Sequence, residues 1–146
     1  MSAAYPLQAL RDLALHVQRL SSDGGDAGTA GIRAMLEQLG AVQIDTLHVV
    51  QRSQYLVLWS RLGKYTTADF DALQSDPQQR SLFEYWSHAA CLLPLKNFRY
   101  YLPAMQWYAN GGDHWARRMK DEADDPAQVL ANVRQRVQQE GGLRSA

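Results

Sequence analysis

Cysteine is almost missing from this chain: Cys91 stands alone, so no internal disulfide can form and no cysteine cluster for zinc is encoded. Long apolar runs are missing too. Stretches such as Tyr55-Leu56-Val57-Leu58-Trp59 stop at five residues, far short of what crosses a bilayer. The first twenty residues have no basic start followed by an apolar core, which argues against a secretory signal. An excess of one charge is absent, with 15 Lys/Arg against 15 Asp/Glu, so the chain does not advertise nucleic-acid binding by charge. Repeats and low-complexity tracts are not seen. A soluble, cytoplasmic protein with no membrane association is expected.

What remains is ordinary globular material: 146 residues, 46% hydrophobic and 21% charged. That length fits one domain, or one domain and the start of another. Residues 61–120 are mildly basic, and Arg supplies twelve of the fifteen positive charges. Arginine suits bidentate phosphate contacts, but a GC-rich genome gives the same bias, so charge decides neither for nor against DNA.

The apolar spacing predicts helices over Pro6–Leu20 and Ala30–Leu39, the second with Thr29 as its cap and Gly40 as its stop. A strand is expected at 42–45, then a helix over Leu47–Leu62 with a break near Ser53, ended by Gly63. Thr66–Leu73 reads as a short helix closed by Asp76-Pro77. Ser81 to Pro94 reads as two strands joined near Ser87-His88. Helices follow over Lys96–Tyr108, where Pro103 should kink or interrupt it, His114–Asp121 and Asp125–Gln139. The expected class is mainly α with a small β component, its element order resembling a winged helix-turn-helix with extra helices. Residues 1–124 are expected to form that domain. Gly141-Gly142-Leu143-Arg144-Ser145 looks like a helix stop and a new helix start, so 125–146 reads as the beginning of a second domain, truncated.

Val42-Gln43-Ile44-Asp45-Thr46 is the most informative segment. In a strand, side chains alternate between faces, so Gln43 and Asp45 project together while their neighbours face the other way. A paired amide and carboxylate can hold and polarise one water, which suits hydrolysis. Spacing alone favours a plainer alternative, in which Gln43 is an ordinary polar strand residue and Asp45 caps the following helix.

Three stretches alter that balance: 39–46 around Gln43-Ile44-Asp45, Arg52-Ser53-Gln54-Tyr55-Leu56-Val57-Leu58-Trp59-Ser60-Arg61-Leu62-Gly63, and Glu84-Tyr85-Trp86-Ser87-His88-Ala89-Ala90-Cys91-Leu92-Leu93-Pro94. Together, in this order, they resemble the bacterial YcaQ-type (AlkX) DNA glycosylases, winged-helix enzymes that unhook interstrand crosslinks. The resemblance implies tandem winged-helix domains with a β-barrel region, and hydrolysis of the N-glycosidic bond of N7-alkylated guanine. It implies catalysis by a Gln-apolar-Asp signature, matched here by Gln43-Ile44-Asp45, on the branch that carries Asp rather than a second Gln. It implies a monofunctional enzyme without cofactor or metal, acting as a monomer on double-stranded DNA with alkylated or crosslinked guanine.

Other residues keep two readings. Arg52 and Arg61 are candidates for DNA phosphate contacts, or surface charges. His48, Glu84 and His88 are candidates to line the site. His48 is equally consistent with a solvated helix face, and His88 with a turn. Tyr100, Tyr101, Trp107 and Tyr108 suit base stacking, though at helical spacing core or interface roles are commoner. The competing function is a winged-helix DNA-binding module without catalysis.

Overall fold

The computed structural model describes residues 4–20, 24–45, 49–122 and 125–141. The chain divides into two compact units, Met1–Arg99 and Tyr100–Ala146.

In the first unit the order is α1 (Leu7–Val17), α2 (Thr29–Leu39), β1 (Val42–Gln43), α3 (Ser53–Leu62), α4 (Thr67–Ser75), β2 (Leu82–Trp86) and β3 (Ala90–Pro94), followed by a 3-10 turn at Leu95–Asn97. Ile32, Met35 and Leu36 fall on one face of α2, as the three- and four-residue spacing requires, and all three are buried. They meet Leu58 and Leu62 of α3, Phe70 and Leu73 of α4, and Val42, Leu82 and Leu92 of the sheet in one core. Fully burying such a side chain is worth roughly 1.5–3 kcal/mol. The start of α2 lies so close to Asp26 that a Cβ on Gly31 would meet its backbone oxygen, and only glycine fits. Gly40 then ends α2 in the left-handed region at φ 77°, its N–H donating to the Leu36 carbonyl.

The three strands are antiparallel in the order β1-β3-β2. Val42 stands opposite Leu92 and Gln43 opposite Cys91. On the other side of β3, Glu84 faces Leu92 and Tyr85 faces Cys91.

Several local expectations in the first unit change; among them, the helix expected over Thr66–Leu73 runs Thr67–Ser75 with Thr66 as its N-cap. Of the helix expected over Leu47–Leu62, residues 47–48 lie outside the described residues, 49–52 are not helical, and α3 begins at Ser53 with Arg52 extended at its N-cap. Val49 and Val50 are exposed, so residues 49–52 bury no apolar stripe, and a short helix without tertiary packing is marginal. The strand expected over 42–45 is assigned only at Val42–Gln43, although Ile44 N–H adds one more bond to the Ala90 carbonyl at 2.8 Å. The first helix stops at Val17 rather than Leu20. There Gln38 Nε2 donates to the Val17 carbonyl (3.1 Å) and Arg61 Nε to that of Gln18 (2.8 Å), and both carbonyls lie beyond the regular helix ladder. Thr29 is the first residue of α2, and Gly28 takes the N-cap.

In the second unit α5 (Phe98–Ala109), which starts at the end of the first, runs through Pro103 without a break. It is followed by α6 (His114–Glu122) and α7 (Pro126–Glu140). Asp125 caps α7 by accepting from Gln128 N–H at 3.0 Å, with Pro126 at the first position, where a missing N–H costs nothing. Among the described residues no helix is long and apolar enough to cross a membrane.

Candidate active site

Gly40 turns the chain out of α2 and delivers Val42 into the core, which fixes the register of β1. The next side chain must then point to the opposite face, and Gln43 is exposed. Residues opposite one another on neighbouring strands share a face. Gln43 therefore lies in a row with Cys91 and Tyr85, and Glu84 in the row with Leu92 and Val42. The sheet places Glu84 and Gln43 on opposite faces.

Ile44 packs against the core, and its bond to Ala90 holds the chain to the end of β3. Asp45 follows at that end of the sheet, half-buried. The next described helix starts at Ser53 with Arg52 at its N-cap, so Asp45 does not cap it. The β2–β3 turn lies at the same end: Ser87 N–H donates to the Ala89 carbonyl at 2.9 Å, and His88 is exposed at the tip. The fold thus brings the segment of Gln43 and Asp45 and the hairpin tip of His88 to one end of one sheet. His48 lies outside the described residues.

The two arginines part company. Arg52 is exposed, and its charge acts on the Tyr55 phenol. Arg61 is used internally: it donates to the Gln18 carbonyl (2.8 Å), the Val57 carbonyl (3.1 Å), Ser60 Oγ (3.0 Å) and Gln18 Oε1 (3.4 Å). Burial pushes its pKa down.

One feature carried no motif. An open groove of about 170 Å³ lies where α3 turns into α4, lined by Gln51, Tyr55, Leu56, Trp59, Lys64, Tyr65 and Thr67. Tyr55 Oη donates to Asp71 Oδ1 at 2.7 Å, and Tyr65 Oη to the Tyr55 carbonyl at 3.1 Å. Burial pushes the Tyr65 phenol up to about 12. The signal available in the sequence was Leu56 and Trp59, three apart on the outer side of a helix whose inner side is Gln54, Leu58 and Leu62.

No solved structure matches the chain. The family model of the AlkZ-like DNA glycosylases matches residues 36–146, a span that holds β1, Gln43-Ile44-Asp45, the groove and the whole β2–β3 hairpin. With most of its length matched from the end of α2 onward, the chain belongs to the AlkZ-like DNA glycosylase family.

Proposed function

We propose that Gln43 and Asp45 are the catalytic pair of a monofunctional glycosylase that hydrolyses the N-glycosidic bond of N7-alkylguanine and unhooks interstrand crosslinks. The observation that carries this reading is the Gln-Ile-Asp sequence at the end of the sheet, inside the matched span, with the amide exposed and the carboxylate half-buried. Alkylation at N7 makes guanine cationic, so the base already leaves well. As the bond breaks, positive charge grows on the deoxyribose, as in glycoside hydrolysis. The Asp45 carboxylate stabilises that charge and accepts a proton from the attacking water, while the Gln43 amide orients the water. His88, at the hairpin tip, borders this end of the sheet, and Arg52 is the arginine better placed to meet phosphate.

The order α2-β1-α3-α4-β2-β3, with β1 beside β3, supports reading this region as a winged helix-turn-helix. Gly63-Lys64-Tyr65-Thr66 is then the turn between its two central helices, a short one containing glycine. The helices after the hairpin are its extras up to residue 124, and 125–146 opens a second such domain. The helix in the reading position, α4, has Asp69 and Asp71 and no Lys or Arg. A helix that enters the major groove of DNA faces phosphates on both sides, so this composition disfavours the alternative of a sequence-reading module without catalysis. The partner is double-stranded DNA, met by a monomer.

Excision from DNA containing 7-methylguanine or a nitrogen-mustard crosslink tests the assignment. Asp45→Asn is expected to lower the rate by about 10²–10⁴, the value of a positioned general base, with DNA affinity unchanged. A folded Asp45→Asn protein that excises at the full rate would falsify the role of Asp45.

A further inference from the structure

We propose that the groove between α3 and α4 is a second DNA subsite, in which one unpaired nucleobase stacks on Trp59 while Lys64 and Arg52 hold the flanking phosphates. The inference rests on DNA being the ligand, as in the reading above; it uses neither Gln43 nor Asp45 and shares with that reading only Arg52 as a phosphate contact.

Trp59 is 62% exposed and Leu56 43% exposed, and together they present adjacent apolar surface lining the groove. Leu56 and Trp59 lie three apart on the outer face of α3, and exposed Arg52 stands at its N-cap with an extended backbone. Lys64, also exposed, follows just beyond the Gly63 turn. An apolar platform is thus flanked by a cation at each end of one helix. The local anion is restrained: Tyr55 Oη donates to Asp71 Oδ1, and the Arg52 charge opposes that carboxylate's effect on the phenol. Gln51 accepts Arg52 N–H at 3.0 Å through Oε1, which turns its amide nitrogen into the remaining donor for a base edge. Flat aromatic surface, a sequence-tolerant polar edge and flanking positive charge are what single-stranded nucleic acid requires. A docked protein helix would be served by the apolar platform but not by two cations. The groove is open, so a base can enter without extrusion into a closed pocket, which suits a nucleotide unpaired next to a tethered lesion.

The test is fluorescence anisotropy of the full chain with a labelled oligothymidylate of roughly 12 nucleotides, within the site sizes of such grooves. Trp59→Ala is expected to weaken binding about 5- to 150-fold, the equivalent of one lost base stack, while Trp59→Phe keeps most of the affinity. Lys64→Gln is expected to flatten the salt dependence by about 0.7 in log–log slope, the value of one single-strand phosphate. Unchanged binding by Trp59→Ala overturns the subsite. So does a loss of affinity that tracks a change in sedimentation, which would make a second copy the occupant. A fall in melting temperature shared by Trp59→Ala and Trp59→Phe also overturns it, by making the indole a packing residue. Failure here with excision still dependent on Asp45 would leave the catalytic reading intact. Oligonucleotide binding through Trp59 with Asp45→Asn fully active would do the reverse.

Discussion

The two units are built on different physics. Within residues 1–99, α2, α3, α4 and the sheet close over one another, while α1 buries no side chain, and every fully buried hydrophobic side chain described lies between Ile32 and Leu93. In residues 100–146 the apolar side chains are as large, including Leu102, Trp107, Trp115, Leu130 and Val133, yet all of these are exposed. Among its described residues the devices seen are local: the Asp125 cap, and the i,i+4 pairs Arg118–Glu122 (2.6 Å) and Arg136–Glu140 (3.2 Å). Such pairs are worth about 0.2–0.5 kcal/mol each, and helices of this length are marginal without packing. Cooperative stability therefore resides in the unit that carries Gln43, Asp45 and the groove.

Matched truncations break or confirm that contrast most directly. Leu73 of α4 is fully buried in the core, so Leu73→Ala is expected to cost about 2–5 kcal/mol. Val133 of α7 is exposed, and Val133→Ala should stay within about 0.5 kcal/mol. Urea titrations of both variants measure the difference. Comparable losses would mean that α7 packs as firmly as α4, and the contrast would be gone.

The same contrast explains what the sequence could and could not reveal. Helix α2, the hairpin and the stop glycines Gly40 and Gly63 were legible, because each couples a periodic apolar face to a local punctuation residue. The start of α3 was not, since the turn-forming stretch before Ser53 includes Val49 and Val50, apolar residues that mimic a helix face but are exposed. At the candidate site, two-residue alternation predicted a shared face for Gln43 and Asp45, but the assigned strand ends at Gln43, so alternation places Gln43 and does not extend to Asp45. That Glu84 lies across the sheet from Gln43 could not be read, because it depends on the register between β3 and its two neighbours. The groove at Trp59 was hidden for a related reason: a tryptophan on a helix is expected inside, and only the packed neighbours show which side is in.

Alkaline titration sharpens the contrast with a smaller effect. The Tyr65 phenol has its pKa pushed from 10.0 up to about 12, chiefly by burial. A pKa raised on folding means that the stability tied to the neutral phenol is complete below pH 10 and is lost as pH rises towards 12. The melting temperature is expected to fall more steeply across that window than in Tyr65→Phe. The phenylalanine variant loses the bond to the Tyr55 carbonyl at every pH but has no phenol to ionise. Parallel pH profiles for the two proteins would show that Tyr65 does not report on the first unit.

The smallest effect tests the second unit itself. Asp125 accepts from Gln128 N–H, and its own carbonyl accepts from Val129 N–H at 3.1 Å. Asp125→Ala removes only the first of these, and an N-cap of this kind is worth ~1 kcal/mol. Where a helix belongs to a cooperative core, that loss lowers the midpoint of global unfolding. Where it frays independently, the midpoint stays put and the cost appears locally. For α7, whose described side chains are all exposed apart from half-buried Pro126, the second outcome is expected: amide exchange at Gln128 and Val129 faster by about fivefold, with an unchanged urea midpoint. Asp125→Asn should restore slow exchange, because an asparagine oxygen caps nearly as well. A midpoint that falls with Asp125→Ala would tie α7 to the same cooperative unit as Leu73, and the division of the chain into a packed part and a locally held part would not survive it.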